Sequence, residues 1–498
     1  MTFDSHLTLI EANAIHFPER LVFKVPQLDN EDDDMSSHQK IHGYWLRTLQ
    51  CPPGSVVGLW VLGMLYRDLV HLFGLMNAGF VPQILTLKIR SAEVAVEYFK
   101  RSNISHIIHA PTAPTDQLRN HFQIHETVDI KPSDSVVADV HVPSLQEKTG
   151  DDTVVILHSS GSTSGKPKLI PYTRNWIHGH AQKPLPGLPD GKEISFQQFR
   201  NGACIVLMPW LDFTGAELCQ IITECKANAL YQLTPLLNKT LREAMKNSEL
   251  QAVLKSLNFI ACCGSVFGEN ERLWSMELGI PVRNWYGMTE MGITMVSEHD
   301  PIILHPINVP GLVYEFKPRD AEDKVEITEP KRKLVEAIIS SSSIDRPYPT
   351  LCDPVDGHFH TRDLFEEVEP NGFIYRERLD DIIKMSRGQN CSASFIESQI
   401  LLSCQNLVAA CVVVGSGKPS PVLVVELLEE PTDIASLKEK IGKEAELINK
   451  DGFPHERIRP SDILIVPPGT IPRTPKGNIN RSSAQHLYKK EIDAFFDE

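Results

Sequence analysis

Short apolar runs alternate with segments of helical period along the first 150 residues, and no other feature of the chain restricts its fold as much. Val56–Leu62 and Ile104–Ala110 are apolar and short enough for buried strands, while Asp68–Asn77 and Ala92–Lys100 repeat apolar residues at helical spacing. Strands separated by helix-length segments pair in parallel, because the chain must cross over before it can return. The expected class is therefore α/β, with layers of helix over a largely parallel sheet. The pattern resumes at Thr153 with the run Val154–Leu157, a loop of Gly, Ser and Thr, and then a helical segment. Further strand-like runs are Ala203–Met208, Phe259–Cys262 and Val282–Trp285. A charged, turn-rich stretch around Arg376–Asp381 marks the boundary, and beyond it Leu407–Val414 and Pro421–Leu428 read as strands and Ile434–Ile448 as a helix. A large N-terminal layered α/β core, residues 1–378, with a small mobile C-terminal α+β domain, residues 379–498, is the expected organisation.

The 498 residues are 42% hydrophobic and 23% charged, a balance that can fill a sizeable core and that excludes disorder or coiled coil as a description of the whole chain. A formal net charge of −15 repels a phosphate backbone, so bulk nucleic-acid binding is not expected. A nucleotide would have to be held by a few placed basic groups. Ten cysteines without a C-x-x-C pair are too dilute for a disulfide scaffold or a zinc site, and read as reduced thiols. Met1–Val25 has no signal-peptide pattern. The most apolar stretch, Gly54–Leu87, is interrupted by Arg67, Asp68 and His71, so no membrane span is expected. The expected location is the cytoplasm.

The strongest chemical signal is His158-Ser-Ser-Gly-Ser-Thr-Ser-Gly-Lys-Pro-Lys168, directly after the Val154–Leu157 run. Small and hydroxyl residues let a backbone approach phosphate oxygens and offer N–H and O–H donors. Lys166 and Lys168 supply positive charge. The spacing is not that of a Walker loop: three residues separate Gly161 from Gly165, and Pro167 follows Lys166. Composition alone also fits a flexible Ser/Gly loop, and the accompanying motifs decide between the two. They are Asn284-Trp-Tyr-Gly-Met-Thr-Glu290, His360-Thr-Arg-Asp363, Tyr375-Arg-Glu-Arg-Leu-Asp-Asp-Ile-Ile-Lys384 and Pro472-Arg-Thr-Pro-Lys-Gly-Asn-Ile-Asn-Arg481.

In this order and spacing the motifs resemble those of the adenylate-forming superfamily, which includes acyl-CoA synthetases, luciferases and the adenylation domains of nonribosomal peptide synthetases. The phosphate loop and the Asp353–Arg378 region are similar to those of fungal synthetase-like carboxylic acid reductases. The resemblance runs from about residue 10 to residue 485. It implies that Ser159, Ser160, Gly161, Ser162, Thr163, Gly165 and Lys168 form a phosphate loop for ATP, with Ser164 as an additional residue. It implies that Tyr286 stacks on adenine, with Gly264 and Gly287 also against the nucleotide, that Thr289 lies beside the α-phosphate and that Glu290 binds Mg²⁺. A Mg²⁺ ion held by one carboxylate plus phosphate oxygens is chemically reasonable. Asp363 and Arg378 are implied at the ribose, and Asp380 is implied as the hinge about which the small domain turns. The acyl group would pass to a phosphopantetheine thiol on a partner carrier domain.

Three positions depart from the family pattern. Arg362 stands where the family has glycine before the ribose carboxylate. Asn478 occupies the position of the closing lysine, so Lys476, two residues earlier, is expected to stabilise the α-phosphate; asparagine has no charge to do so. In Pro209-Trp-Leu-Asp-Phe-Thr-Gly215, Asp212 replaces a histidine beside the acid pocket, which Trp210, Phe213, Trp285 and Gly264 also line by resemblance. Aromatic faces with a nearby carboxylate suit a cationic head group, at roughly 0.5–2 kcal/mol per cation–π contact. A small cationic acid such as a betaine or amino acid is the expected substrate, and an aryl acid in a flat pocket is the alternative. A free-standing aryl- or fatty-acid–CoA ligase and a catalytically weak nucleotide-binding regulatory domain are the competing functions.

Overall fold

A computed structural model of the chain describes residues 23–24, 36–63, 65–89, 91–129, 149–159, 168–183, 205–206, 213–264, 267–318, 334–379, 382–387, 389–404, 407–429, 433–449, 455–473 and 479–496. These residues gather into two compact units. The first holds the described residues up to 314 together with 339–359, and the second holds 315–338 and the described residues from 360 onward.

The first unit opens with a six-stranded sheet in the order Gln123–Glu126, His106–His109, Val56–Val61, Val81–Thr86, Thr153–Ser159, Lys168–Thr173. Its first five strands run parallel, joined by crossovers that include the helices Tyr66–Asn77 and Ala92–Lys100. Both faces are buried, which is why the strands read as continuous apolar runs instead of alternating. Leu59 packs with Trp45, Leu75 and Phe80 on one face, while its neighbour Trp60 packs with Tyr98, Phe99 and Ile107 on the other. Truncating an aromatic such as Phe99 to alanine costs about 3–5 kcal/mol at a site of this kind. The sixth strand is antiparallel to the fifth. The helix expected directly after the Gly/Ser/Thr loop therefore begins only at Arg174, because Lys168–Thr173 first completes the sheet edge.

A second sheet of this unit has the order Leu304–Pro306, Gly292–Ser297, Val282–Met288, Phe259–Cys263, Ala229–Leu233. The last three are parallel and the first two antiparallel. Helices Gly215–Cys225, Thr234–Ala244 and Ser248–Ser256 cover one face through Leu218, Leu237, Leu241 and Leu250. Thr214 starts the first of these helices with a reciprocal cap, its side chain accepting from Glu217 N while Glu217 accepts from Thr214 N. Of the run Ala203–Met208 the described part is Ile205–Val206, paired in parallel with Phe23–Lys24.

In the second unit the strands Tyr314–Pro318, Leu334–Ile339, Phe359–Glu369 and Gly372–Arg378 lie side by side in that order. Phe316 stacks on Phe373 at 3.9 Å between ring centroids. Farther along, Val408–Val414, Val422–Leu427 and Ile463–Val466 form a three-stranded sheet with helices on both faces. Cys411, Val413, Leu423 and Val425 face one layer, and Val412, Val414, Val422 and Val424 the other. The overall class is α/β, as the alternation of the sequence leads one to expect. Among the described residues no helix is long and apolar enough to cross a membrane.

Candidate active site

The phosphate-loop motif is the connection of a β-hairpin. Ser159 and Lys168 face each other across the antiparallel pair at its base. Behind them, His158 Nε2 accepts from Thr86 N at 3.3 Å, tying the loop's entry to the parallel sheet. Ser160, Gly161, Ser162, Thr163 and Gly165 lie outside the described residues, as do Trp210, Asp212, Asp380 and Lys476.

The strand that leaves this loop reaches the second motif directly. Tyr172 Oη donates to Thr289 O at 2.6 Å, across 117 positions of sequence. Thr289 and Glu290 form the turn between Val282–Met288 and Gly292–Ser297, which also carries Tyr286 and Gly287 on its incoming strand. The hairpin is tight: a Cβ on Gly287 would lie 2.2 Å from Gly292 O, and Gly292 itself has φ +64°, with a Cβ there 2.0 Å from His180 Nε2. Trp176 Nε1 donates to Glu290 O at 3.3 Å, His180 Nε2 lies 2.8 Å from Met291 O, and Lys183 Nζ donates to Ile293 O at 2.7 Å. Burial, followed by the Lys183 charge, pushes His180 down to about 3, so its ring is neutral at neutral pH. Burial and the Glu290 charge together push the Tyr172 phenol up, which keeps it a donor. The Glu290 carboxylate is half-buried, and among the described residues it has no hydrogen-bond or ion-pair partner. An unclaimed, partly desolvated carboxylate is a donor group that fits Mg²⁺.

Within the second unit, Asp363 and Arg378 are directly opposite on neighbouring strands, with Arg378 Nε 3.6 Å from Asp363 Oδ1. That is an ion pair without a hydrogen bond. Asp363 is buried and Arg378 about a third exposed, so the carboxylate is held in place by a partly solvated cation. Arg362 has φ +62°, in the left-handed region, and its N–H donates to Glu336 Oε1 at 3.0 Å. Left-handed backbone explains why glycine suits this position in the family.

Trp285 and Phe213 do not come together. Trp285 packs with Phe259, Ala261 and Val296, and edge-on to Tyr231 at 5.1 Å. Phe213 packs on the helical layer that holds Ile260 and Cys262. Consecutive residues of Phe259–Cys263 point to opposite faces, so these two aromatics lie on opposite sides of the sheet. Among the described residues the buried Trp285 indole N–H has no partner. Gly264 ends the same strand with φ +95°.

The segment that carries Lys476 stands on a buried anchor within the second unit. Arg473 pairs with Ile479 across an antiparallel bridge, and Asn480 N donates to Pro472 O at 2.8 Å. Below them Glu426 accepts from Ile471 N at 3.0 Å and from Arg473 at 3.1 Å. Glu426 is the charged member of the otherwise apolar strand Val422–Leu427, a break in pattern that marks it in the sequence. Tyr172, Trp176, His180 and Lys183 are not marked in this way, since their bonds run to backbone carbonyls more than 100 residues distant.

Comparison with known proteins accounts for the order of these motifs. The model of the AMP-binding enzyme family matches residues 195–326, and that of the AMP-binding enzyme C-terminal domain matches 380–498. The AMP-binding domain-containing enzyme iboA of Amanita muscaria (strain Koide BX008) is 25% identical over 514 residues, covering 95% of this chain and 99% of its own. The adenylate-forming reductase Nps11 of Serpula lacrymans var. lacrymans is also 25% identical, over 70% of this chain but 34% of its own length. Among solved structures, the anthranilate CoA ligase AuaEII in complex with anthranoyl-AMP superposes with a TM-score of 0.75 over 99% of both chains, at 17% identity. The chain belongs to the adenylate-forming enzymes of the AMP-binding superfamily.

Proposed function

We infer that this enzyme activates a small carboxylic acid as its acyl-adenylate and then passes the acyl group to a phosphopantetheine thiol on a carrier domain. The substrate carboxylate attacks the α-phosphorus of ATP in line, one P–O bond forming as the bond to the pyrophosphate oxygen breaks. The single observation that carries this reading is the Tyr172–Thr289 bond, which ties the strand leaving the phosphate loop to the turn bearing Thr289 and Glu290. Ser159 and Lys168 with the loop between them would hold the β- and γ-phosphates, and the Thr289 hydroxyl would meet the α-phosphate. Glu290 would hold Mg²⁺, which when bound offsets the charge of the triphosphate. Tyr286 would stack on adenine, and Asp363 would accept from the ribose hydroxyls with Arg378 fixing its position. Catalysis is then mostly placement and charge stabilisation.

In this reading residues 1–378 form the ATP- and acid-binding core, and 379–498 form a cytoplasmic enzyme's mobile domain, turning at Asp380 and delivering Lys476 to the α-phosphate. A cationic acid is our first substrate class, resting on Asp212, which the resemblance puts beside the acid pocket. The apolar surroundings of Trp285, with Tyr231 and Phe259 as ring neighbours, favour an aryl acid as the second. Reductase relatives support transfer to a carrier domain, while the anthranilate CoA ligase that shares the fold makes free CoA the alternative acceptor.

The deciding experiment is acid-dependent pyrophosphate release over betaines, amino acids, aryl acids and fatty acids, with Glu290→Gln and Lys476→Ala beside the wild type. Release with one class of acid, lost in both variants, is the expected result. ATP binding with no release for any acid would overturn the reading in favour of a regulatory nucleotide-binding domain. Added CoA that yields an acyl-CoA would replace the carrier domain by free CoA.

A further inference from the structure

We propose that Lys183, Asp345, Tyr172 and Trp176 are positioning residues for adenylation: a buried clamp on the backbone of residues 289–293 that aims Thr289 and Glu290. The proposal rests on the roles given above to those two residues.

Donors at positions 172, 176 and 183 reach the carbonyls of Thr289, Glu290 and Ile293, and His180 lies against that of Met291. Spacings of four, four and three place all of them in one column on the helix Arg174–Ala181 and its flanks. The column is stiffened by stacking, with ring centroids 3.8 Å apart for Tyr172–Trp176 and 3.6 Å for Trp176–His180. At its end Lys183 Nζ pairs with Asp345 Oδ2 at 2.8 Å, the two side chains being 2% and 0% exposed. Asp345 also accepts from Tyr314 Oη at 2.7 Å and from Ser343 Oγ at 2.5 Å.

A buried ion pair is a poor way to gain stability, because apolar residues of similar volume fill such a space at no desolvation cost. What it does here is hold an ammonium group rigidly under the Ile293 carbonyl. Several fixed donors along five residues leave the turn little freedom, and a metal carboxylate displaced by about 1 Å loses much of its value. The column also sets the hairpin's own sequence, since Gly292 lies too close to His180 for any side chain.

The test is calorimetric titration of ATP with and without MgCl₂, beside thermal unfolding. Tyr172→Phe removes one hydroxyl and keeps the stack. The double variant Lys183→Met with Asp345→Asn removes the ion pair without leaving one charge unpaired. Glu290→Gln serves as the reference. The expected result is that Glu290→Gln abolishes the gain in ATP affinity from Mg²⁺, and that both clamp variants reduce that gain about five- to tenfold. A clamp that only stabilises would lower the melting temperature and leave the Mg²⁺-dependent gain intact, and that outcome overturns the proposal. If Glu290→Gln itself leaves the gain intact, the assignment of Glu290 fails first and the clamp has nothing to aim.

Discussion

Replacing Glu426 by glutamine separates the foundation of the Lys476 segment from its chemistry. Glu426 is 6% exposed and accepts two bonds, one from the buried Ile471 N–H and one from Arg473, whose side chain is 38% exposed. The amide keeps one acceptor oxygen and turns the other position into a donor, so one of the two bonds is lost. A buried bond to a charged acceptor contributes roughly 1.5–3 kcal/mol, while the half-solvated pair with Arg473 adds no more than about 1 kcal/mol. The expected loss is about 2 kcal/mol, borne locally by residues 471–480. By the ratio of tenfold per 1.4 kcal/mol, it opens that segment roughly 30-fold more often. Hydrogen exchange at Ile471 and Asn480 should therefore quicken by about that factor, while the three-stranded sheet keeps its protection. Acid-dependent pyrophosphate release should fall about tenfold in kcat with the KM for ATP within twofold, because the residues assigned to ATP are untouched. Unchanged exchange at Ile471 would refute the bond accounting. Quickened exchange with full pyrophosphate release would refute the claim that this anchor aims Lys476.

Arg362→Gly relieves a left-handed backbone worth roughly 1–2 kcal/mol and gives back about 0.5–1 kcal/mol in unfolded-chain entropy. A net gain of about 0–1.5 kcal/mol in urea denaturation is expected, and a loss would mean that the guanidinium's own contacts outweigh the strain. Gly287→Ala forces a methyl group to within 2.2 Å of Gly292 O, so it should distort the hairpin and lower the melting temperature and ATP affinity together. His71 provides a pH test. Trp45 Nε1 donates to its Nδ1 at 3.0 Å, leaving Nε2–H to donate to Val128 O, and burial above all lowers its pKa to about 4. The unfolded chain takes up that proton near pH 6.5 and the folded one only near 4. Stability is therefore complete above about pH 6.5 and falls by about 3 kcal/mol on descending to 4. Denaturation midpoints from pH 7 to 4 should show this contribution on top of that of the buried His180, and His71→Gln should flatten the slope by about the His71 share while leaving the rest.

How much of this was legible depends on whether the cause is local. The Ala92–Lys100 and Ile434–Ile448 helices stand where the sequence places them, because apolar spacing and N-capping by Ser91 and Asp433 are properties of adjacent residues. The strand Lys168–Thr173 was hidden, because Lys-Leu-Ile-Pro-Tyr-Thr has neither clean alternation nor a β-branched run and is a strand only because Thr153–Ser159 has an edge to offer. Asp363 and Arg378 could be named from motifs, but their direct opposition depends on the register of two strands with a bulge between them. The faces of Phe213 and Trp285 were hidden for the same kind of reason: a motif says that a residue is aromatic, and only strand parity says which side it faces. The clamp lies deepest. Its donors bond carbonyls, which every residue has, so no sequence complementarity could announce the partner. The trace it leaves is a lysine and an aspartate, 162 positions apart, buried where an apolar residue would be cheaper. A charge that folding would be better without is evidence of a task, and here the nearest task is holding the turn that carries Glu290.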